Sequence, residues 1–248
     1  MTTAVIPCGG RGTRMASVAG VLPKELLPVA GKPLLQWTLE EAAAAGIEHA
    51  VVVTSPDKPQ IAEFLSHRPA LSCSISLVVQ SEPRGLGDAI TCARPAVVGD
   101  EVAVLLPDNL FGRTAPAIGA VLDAHRRTGL ACVLIAEIPA AGAAGRGAVG
   151  QAQCRPRSDR LWDVVAIRAK VPAQPSTLTP IGRLVFDPGV FDHFERLRAR
   201  LEPGAELDDV PLLQELASEG RLVGVPLAGP FFDVGLPDGY RDALAALT

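Results

Sequence analysis

None of the five cysteines in this 248-residue chain (Cys8, Cys73, Cys92, Cys132 and Cys154) falls in a Cys-x-x-Cys pair. A chain of this length can build a core without covalent staples, so the scatter argues against a disulfide scaffold and fits a reduced, cytoplasmic setting. The four histidines, His49, His67, His125 and His193, lie too far apart for metal-ligand spacing. Basic residues are in deficit, 23 Lys and Arg against 27 Asp and Glu, for a net charge of −4. That balance argues against a nucleic-acid surface, which needs a basic stripe to neutralise phosphates, so any bound anion must be held by local groups. No apolar run reaches the roughly 18 residues of a membrane span. Met1 leads directly into the strand-like run Thr3 to Pro7, with no basic segment and apolar stretch of a secretion signal. Gly-x-Ser-x-Gly and cysteine-nucleophile signatures are missing, as are internal repeats and low-complexity tracts.

Aromatic residues make up only 4% of the chain while hydrophobic residues make up 48%, so a large core must be filled by Ala, Val and Leu. Apolar runs of strand length alternate with stretches of helical period, the pattern of a mostly parallel sheet covered by helices. Strands are expected at Thr3 to Pro7, His49 to Thr54, Ser74 to Gln80, Glu101 to Leu106 and Leu130 to Ile138, and their unbroken Val/Leu/Ile character predicts burial on both faces. Lys32-Pro33 is expected to open a helix carrying Leu35, Leu39 and Ala42 on one face, closed by Gly46. Farther on, Ala140 to Gly150 and the proline-bearing Val171 to Pro180 read as loops. Ala148 to Gln153 and Leu161 to Arg168 read as a strand pair, and Ile181 to Phe186 as another strand. Val190 to Leu201 and Asp209 to Glu219 read as helices, Arg221 to Pro226 as a strand, and a last helix follows Pro237.

The densest chemical signal is Cys8-Gly9-Gly10-Arg11-Gly12-Thr13-Arg14-Met15, followed by Pro23-Lys24-Glu25-Leu26-Leu27-Pro28. Glycines let backbone N–H groups surround an anion, and Arg11, Arg14 and Lys24 add charge where a polyphosphate would lie. Two other phosphate motifs fail: the dinucleotide fingerprint would need Gly at Met15, and the Walker pattern would need Gly at Leu26 and Ser or Thr at Pro33. Taken alone, a glycine-rich turn with its arginines in water is an equal reading.

These blocks continue through Gly31-Lys32-Pro33-Leu34, Glu40-Glu41-Ala42, Gln80-Ser81-Glu82-Pro83-Arg84-Gly85-Leu86-Gly87-Asp88-Ala89, Leu105-Leu106-Pro107-Asp108-Asn109, Gly182-Arg183 and Phe232-Asp233-Val234-Gly235-Leu236-Pro237-Asp238-Gly239-Tyr240. In this order they resemble the sugar-1-phosphate nucleotidyltransferases, in particular the bacterial glucose-1-phosphate uridylyltransferases. The resemblance implies a single Rossmann-like α/β domain over residues 1–248 with a mixed, mostly parallel sheet flanked by helices, its nucleotide part at about 1–138 and its acceptor part at about 139–248. It implies coupling of a nucleoside triphosphate to a sugar-1-phosphate or similar phosphate, with Mg²⁺ and release of pyrophosphate. Gly9, Gly10, Gly12 and Thr13 would lie against the nucleotide, Arg14 and Lys24 on its phosphates, and Gln80 and Gly85 on its base. Asp108, after a strand as ligand sites in open sheets usually are, would join Asp233 on the metal. Gly147, Arg168 and Lys170 would meet the acceptor. No nucleic acid or membrane partner is implied, and a homo-oligomer is compatible with the sequence.

Arg183 reads as structural, and Asp209 as either a helix cap or a site carboxylate. The sequence departs from the family where Glu-Lys-Pro is usual: Ile167-Arg168-Ala169 stands there. Arg168, or Lys170 if the loop is shorter, could keep the phosphate contact, but Ile167 accepts no hydroxyl hydrogen bond. Either the acceptor is another sugar or a cyclitol phosphate, or a different carboxylate compensates. The usual Pro and Thr near Ser17 and Ala19 are also absent. Transfer to a non-sugar phosphate acceptor, or binding of a nucleotide sugar without turnover, stays open at this level.

Overall fold

The computed structural model describes residues 1–112, 117–137, 148–157, 159–172 and 177–247. In chain order the strands are β1 (Thr2–Pro7), β2 (Pro28–Val29), β3 (Lys32–Pro33), β4 (His49–Thr54), β5 (Ser74–Val79), β6 (Glu101–Leu105), β7 (Asn109–Phe111), β8 (Ala131–Glu137), β9 (Ala148–Pro156), β10 (Trp162–Pro172), β11 (Leu178–Phe186), β12 (Leu222–Pro226) and β13 (Phe231–Asp233). The helices are α1 (Ala16–Ala19), α2 (Leu34–Ala44), α3 (Pro59–His67), α4 (Leu86–Cys92), α5 (Ala117–Thr128), α6 (Val190–Arg198), α7 (Val210–Ser218) and α8 (Pro237–Leu247).

Nine strands form one sheet in the order β5-β4-β1-β6-β11-β8-β12-β10-β9. Neighbours β5, β4, β1 and β6 are parallel, as are β8 and β12, while β11 and β10 run against the rest. Alternation along these strands feeds two cores. Ala4, Ile6, Ala50, Val52, Ala103 and Leu105 meet α2, α3 and α5 on one face. Val5, Val51, Val53, Val102 and Val104 meet α4, α6 and α7 on the other. This double covering is what the unbroken apolar runs encode in β1, β4 and β6, but β5 departs from the expectation: it is the edge strand, and its Leu77 and Val79 are exposed. A third, smaller core packs Met15, Leu27, Val29, Leu34, Leu110, Val234, Tyr240 and Ala243 together, so α8 is bound to the segment after the glycine turn.

Some expected boundaries shift. Pro33 lies in extended backbone (ψ 147) before α2, which begins at Leu34. The reason is a hairpin, β2 to β3, turning at Ala30 (φ 48) and Gly31 (φ 76), both positive as a two-residue turn requires. Gly46 (φ 76) does end α2: Ile47 N–H reaches back to Ala42 O at 3.1 Å. Val171 to Pro180 is shorter as a loop than expected, because β10 runs to Pro172 and β11 starts at Leu178. Pro180 is tolerated in β11 because only β8 pairs with it there; β6 pairs from Arg183 onward. Ile138, the expected end of β8, lies outside the described residues.

Between β1 and β6 the sheet changes direction of build: β4 and β5 are added on one side of β1, then β6 on the other. Such a switch point opens a crevice at the carboxyl ends of the two strands, where ligands bind in open α/β sheets. Cys8 and Asp108 follow those two strand ends.

Candidate active site

The glycine turn is anchored from below. Cys8 is fully buried and its N–H donates to Val53 O at 2.6 Å. The next anchor is Lys58, at the start of α3. Its Nζ donates to the carbonyls of Cys8 and Gly10, both at 2.6 Å, and to both oxygens of Glu25 at 3.0 and 2.9 Å. Glu25 is 1% exposed. Burial raises its carboxyl above the ordinary range, with Lys58 and Lys24 opposing that shift only in part. The pair therefore ties Pro23-Lys24-Glu25 to the turn, and removing one partner of such a buried pair typically costs about 3–5 kcal/mol. Above this anchor the turn opens outward. Gly12 has φ +64 and lies on the Lys24 side chain, Met15 plugs the third core, and Arg11, Thr13 and Arg14 are exposed or half-exposed.

The carboxylates come from distant parts of the chain. β7 and β13 pair with Asn109 opposite Asp233, and Val234 N–H donates to Asp108 O at 2.9 Å. A Cβ placed on Gly235 would lie 2.9 Å from Asp108 Oδ2 and 3.2 Å from Asp233 Oδ1, so both carboxylates converge on one point beside that glycine. Lys24 Nζ donates to Asp108 Oδ2 at 2.5 Å. Burial alone would raise the Asp108 carboxyl, but the charge and hydrogen bond of Lys24, a backbone N–H and the charge of Arg14 together hold it below the ordinary range. Lys24 shifts the other way: burial lowers it, and Asp108, Glu25 and Asp233 more than reverse that. Lys24, Arg14, Asp108 and Asp233 thus share one electrostatic neighbourhood.

Arg183 fixes the turn that carries Asp108. It is 1% exposed, stacks 4.6 Å from the Phe111 ring centre and forms a two-pronged ion pair with Glu41 at 2.9 and 2.6 Å. Its remaining donors reach Leu106 O, Gly182 O and Asn109 O at 2.9, 2.6 and 3.1 Å. Asn109 adds a bond from Gly182 N–H to its Oδ1 at 2.8 Å. The structural reading of Arg183 holds, with a specific purpose: it holds the backbone on both sides of Asp108.

On the β5 side, Gln80 is nearly enclosed. Its Nε2 donates to Asp88 Oδ2 at 2.7 Å and to Gly85 O at 3.3 Å, while Oε1 faces Gly9. Gly85 (φ +102) must be glycine for a local reason: a Cβ would meet Leu207 O at 2.4 Å. Asp209 takes the N-cap position of α7 without a side-chain capping bond.

The acceptor side is less concentrated. Gly147 lies outside the described residues, as does the side chain of Lys170. Arg168 is exposed on β10 and donates to the amide oxygen of Gln153 on β9, at 2.8 and 3.2 Å once that amide is turned to accept. Ile167 is buried in the second core. In the ungapped match to the usual Glu-Lys-Pro, the Glu position is therefore a packing position in this chain. A large open groove of about 750 Å³ lies away from the glycine turn, lined by α5 residues and Asp159 to Leu161.

Missing from the sequence reading were Lys58, Arg183's clamp on the Asp108 turn, and Asp88. Asp57-Lys58-Pro59 looks like an ordinary turn before a helix, and no local pattern reports a carboxylate 33 residues away. The Glu41–Arg183 pair was visible only as two separate family blocks.

A glycine turn and two converging carboxylates thus lie at the switch point of an open sheet, the place where α/β enzymes of this layout bind their ligands. The chain belongs to the nucleotidyl transferase family, which it matches over residues 3–248. It is 28% identical to the UTP–glucose-1-phosphate uridylyltransferase of Bacillus subtilis (strain 168), over 96% of this chain and 87% of that protein. Identity to the protein of the same name from Staphylococcus epidermidis (strain ATCC 12228 / FDA PCI 1200) is also 28%, over 96% of this chain and 88% of that protein. Among solved structures, a UDP-glucose pyrophosphorylase complexed with UDP-glucose superimposes with a TM-score of 0.85 at 24% identity, covering 99% of this chain and 98% of that one. A UTP-bound enzyme from Acinetobacter baumannii gives 0.81 at 24%, covering 99% and 92%. At such identity these two likenesses establish the fold. Among the described residues no helix is long and apolar enough to cross a membrane.

Proposed function

We propose that this protein joins a nucleoside triphosphate to a sugar-1-phosphate or similar phosphate, forming a nucleoside-diphosphate sugar and pyrophosphate. The observation that carries the reading is the convergence of Asp108 and Asp233 on one point beside Lys24 and across the crevice from the glycine turn. Two carboxylate oxygens held this closely suit a hard divalent cation that takes its other ligands from phosphate and water. Asp108 and Asp233 would hold Mg²⁺, which would neutralise charge on the polyphosphate.

The chain's own groups do the positioning. A sugar-1-phosphate is largely a dianion at neutral pH, its second pKa lying at about 6, so its oxygen can attack the α-phosphorus without a protein base. The obstacle is repulsion between two anions. Backbone N–H groups of Gly9 to Thr13, with Arg14 and Lys24, would hold the triphosphate in line and stabilise the charge growing on pyrophosphate. Gln80 and Gly85 would line the base, while Arg168 or Lys170 would take the acceptor phosphate near Gly147. Residues 1–138 then supply most of the nucleotide site and residues 139–248 the acceptor site, apart from Asp233. Buried Ile167 favours an acceptor held differently from glucose-1-phosphate, such as another sugar or a cyclitol phosphate. Cysteines left as free thiols suit a cytoplasmic location.

The test is pyrophosphate release from each nucleoside triphosphate with a panel of sugar and cyclitol phosphates and Mg²⁺. Release with at least one pair is expected. No release across the panel would leave a binding protein without turnover.

A further inference from the structure

Resting on that reading of the nucleotide site, we propose that Asp88 is a positioning residue that sets which bases are accepted, by fixing which end of the Gln80 amide faces the nucleotide. The two oxygens of Asp88 are divided between partners. Oδ2 accepts Gln80 Nε2 at 2.7 Å; Oδ1 accepts Arg198 Nη2 at 2.7 Å and lies 3.4 Å from Arg84 Nε. Asp88 is 1% exposed, so this carboxylate does not rotate freely between them. A carboxylate facing two guanidinium groups offers only lone pairs to its remaining neighbours, the Gln80 amide at 2.7 Å and, farther off, the Cys92 thiol at 3.9 Å. Gly85 O, 3.3 Å from the same Nε2, is a second acceptor. Both demand the amide nitrogen, so the carbonyl end points the other way.

That end faces Gly9, the first glycine of the cradle: a Cβ there would lie 2.7 Å from Gln80 Oε1. The nucleotide side of Gln80 is therefore an acceptor. An acceptor at a base edge pairs with an imino N–H, present at N3 of uracil and thymine and N1 of guanine. Held at that ring position it meets a lone pair at N3 of cytosine and N1 of adenine, whose donor on this edge is the exocyclic amino group one position away. A site that must hydrogen-bond a donor discriminates against a ligand lacking it by roughly tenfold or much more. Asp88 touches no substrate in this scheme; Arg198, on α6, holds the carboxylate that holds the amide.

Asp88→Asn separates this role from simple support. Arg198 and Arg84 still require an oxygen at the Oδ1 position, so the introduced side chain turns its amide nitrogen toward Gln80, and Gln80 turns its carbonyl to meet that nearer donor, gives up the longer 3.3 Å bond to Gly85 O and presents NH₂ instead. Calorimetric binding of UTP and CTP, each with Mg²⁺, reads the effect without any acceptor. Wild type is expected to favour UTP by at least about tenfold, and D88N to reduce that ratio by about tenfold or more. A purely structural Asp88 would weaken both nucleotides alike and leave the ratio unchanged, which overturns the proposal, as does a wild-type preference for CTP. Should D88N not fold, ¹⁵N-glutamine labelling of the wild type decides: a Gln80 side-chain NH₂ that exchanges slowly with water, with and without UTP, supports the assigned orientation, and fast exchange overturns it. Wild-type protein that binds neither nucleotide would remove the nucleotide reading itself, and this inference with it.

Discussion

The two walls of the crevice are built differently. On the carboxylate wall, Asp108 and Asp233 stand on a paired ribbon whose turn is locked by Arg183 and Glu41 from inside the protein. On the glycine wall, Lys58 locks the base and Met15 pins the segment to the third core, while Arg11, Thr13 and Arg14 between them point toward solvent and the segment runs on to Val21, which is 97% exposed. Rigid placement suits groups that must hold a cation at fixed distances. Loose placement suits groups that must first admit a bulky triphosphate and then close on its charge. The contrast implies that substitutions on the first wall or at the locked base of the second change chemistry or stability, and those at the exposed arginines of the second change mainly binding.

The sharpest break would come at Asp108. Replacing it with Asn removes an ionised ligand from a pre-placed pair, and turnover at millimolar Mg²⁺ should fall by about 10²–10³-fold, the range for losing one group that stabilises transition-state charge. Steady-state kinetics showing near-normal turnover would erase the distinction between the walls. Lys58→Met tests the locked base of the glycine wall: it leaves Glu25 buried and unpaired, and should cost about 3–5 kcal/mol in denaturant unfolding. An unchanged midpoint would mean that the turn is held by something else. Gly235→Ala places a methyl group against both carboxylates. The Mg²⁺ concentration giving half-maximal rate should rise by about tenfold, about 1.4 kcal/mol, with little change in KM for the triphosphate. Arg14→Ala should do the reverse, raising the triphosphate KM by roughly three- to tenfold while thermal stability moves little.

The smallest effect lies outside both walls. The hydrogen bonds of Arg126 to Glu101, aided by Thr2, hold the Glu101 carboxyl down at about 2 against burial. A folded value below the ordinary carboxylate range adds stability above that range, and this is lost as pH falls toward 2. Glu101→Gln should therefore cost up to about 1 kcal/mol at pH 7 for so solvent-screened a pair, with the difference shrinking between about pH 5 and 2. A pH-independent difference would assign the loss to packing.

Legibility in the sequence divided along the same line. Strands buried on both faces, such as β1 and β4, announce themselves through their dense apolar content, and Gly46 marks a helix end because its φ must be positive. The small elements that shape the site were silent. β2, β3, β7 and β13 have two or three residues each, too few for a period, and the turn at Ala30 lacks the usual Asn-Gly signal. Asp108 and Asp233 could be paired through family resemblance alone, since nothing local links residues so far apart in the chain. Ile167 shows a different limit: the sequence reports a missing carboxylate, but only the fold reveals that the side chain standing there fills the core.

The pairing of Asn109 with Asp233 also has a consequence for how the protein is made. A ribosome delivers the glycine turn and Asp108 long before Asp233, and Gly239, in the first turn of α8, packs against the Asp233 backbone. The nascent polypeptide thus carries only half of the Asp108–Asp233 pair through most of its synthesis, and the two carboxylates can meet only once β13 has been made and pairs with β7.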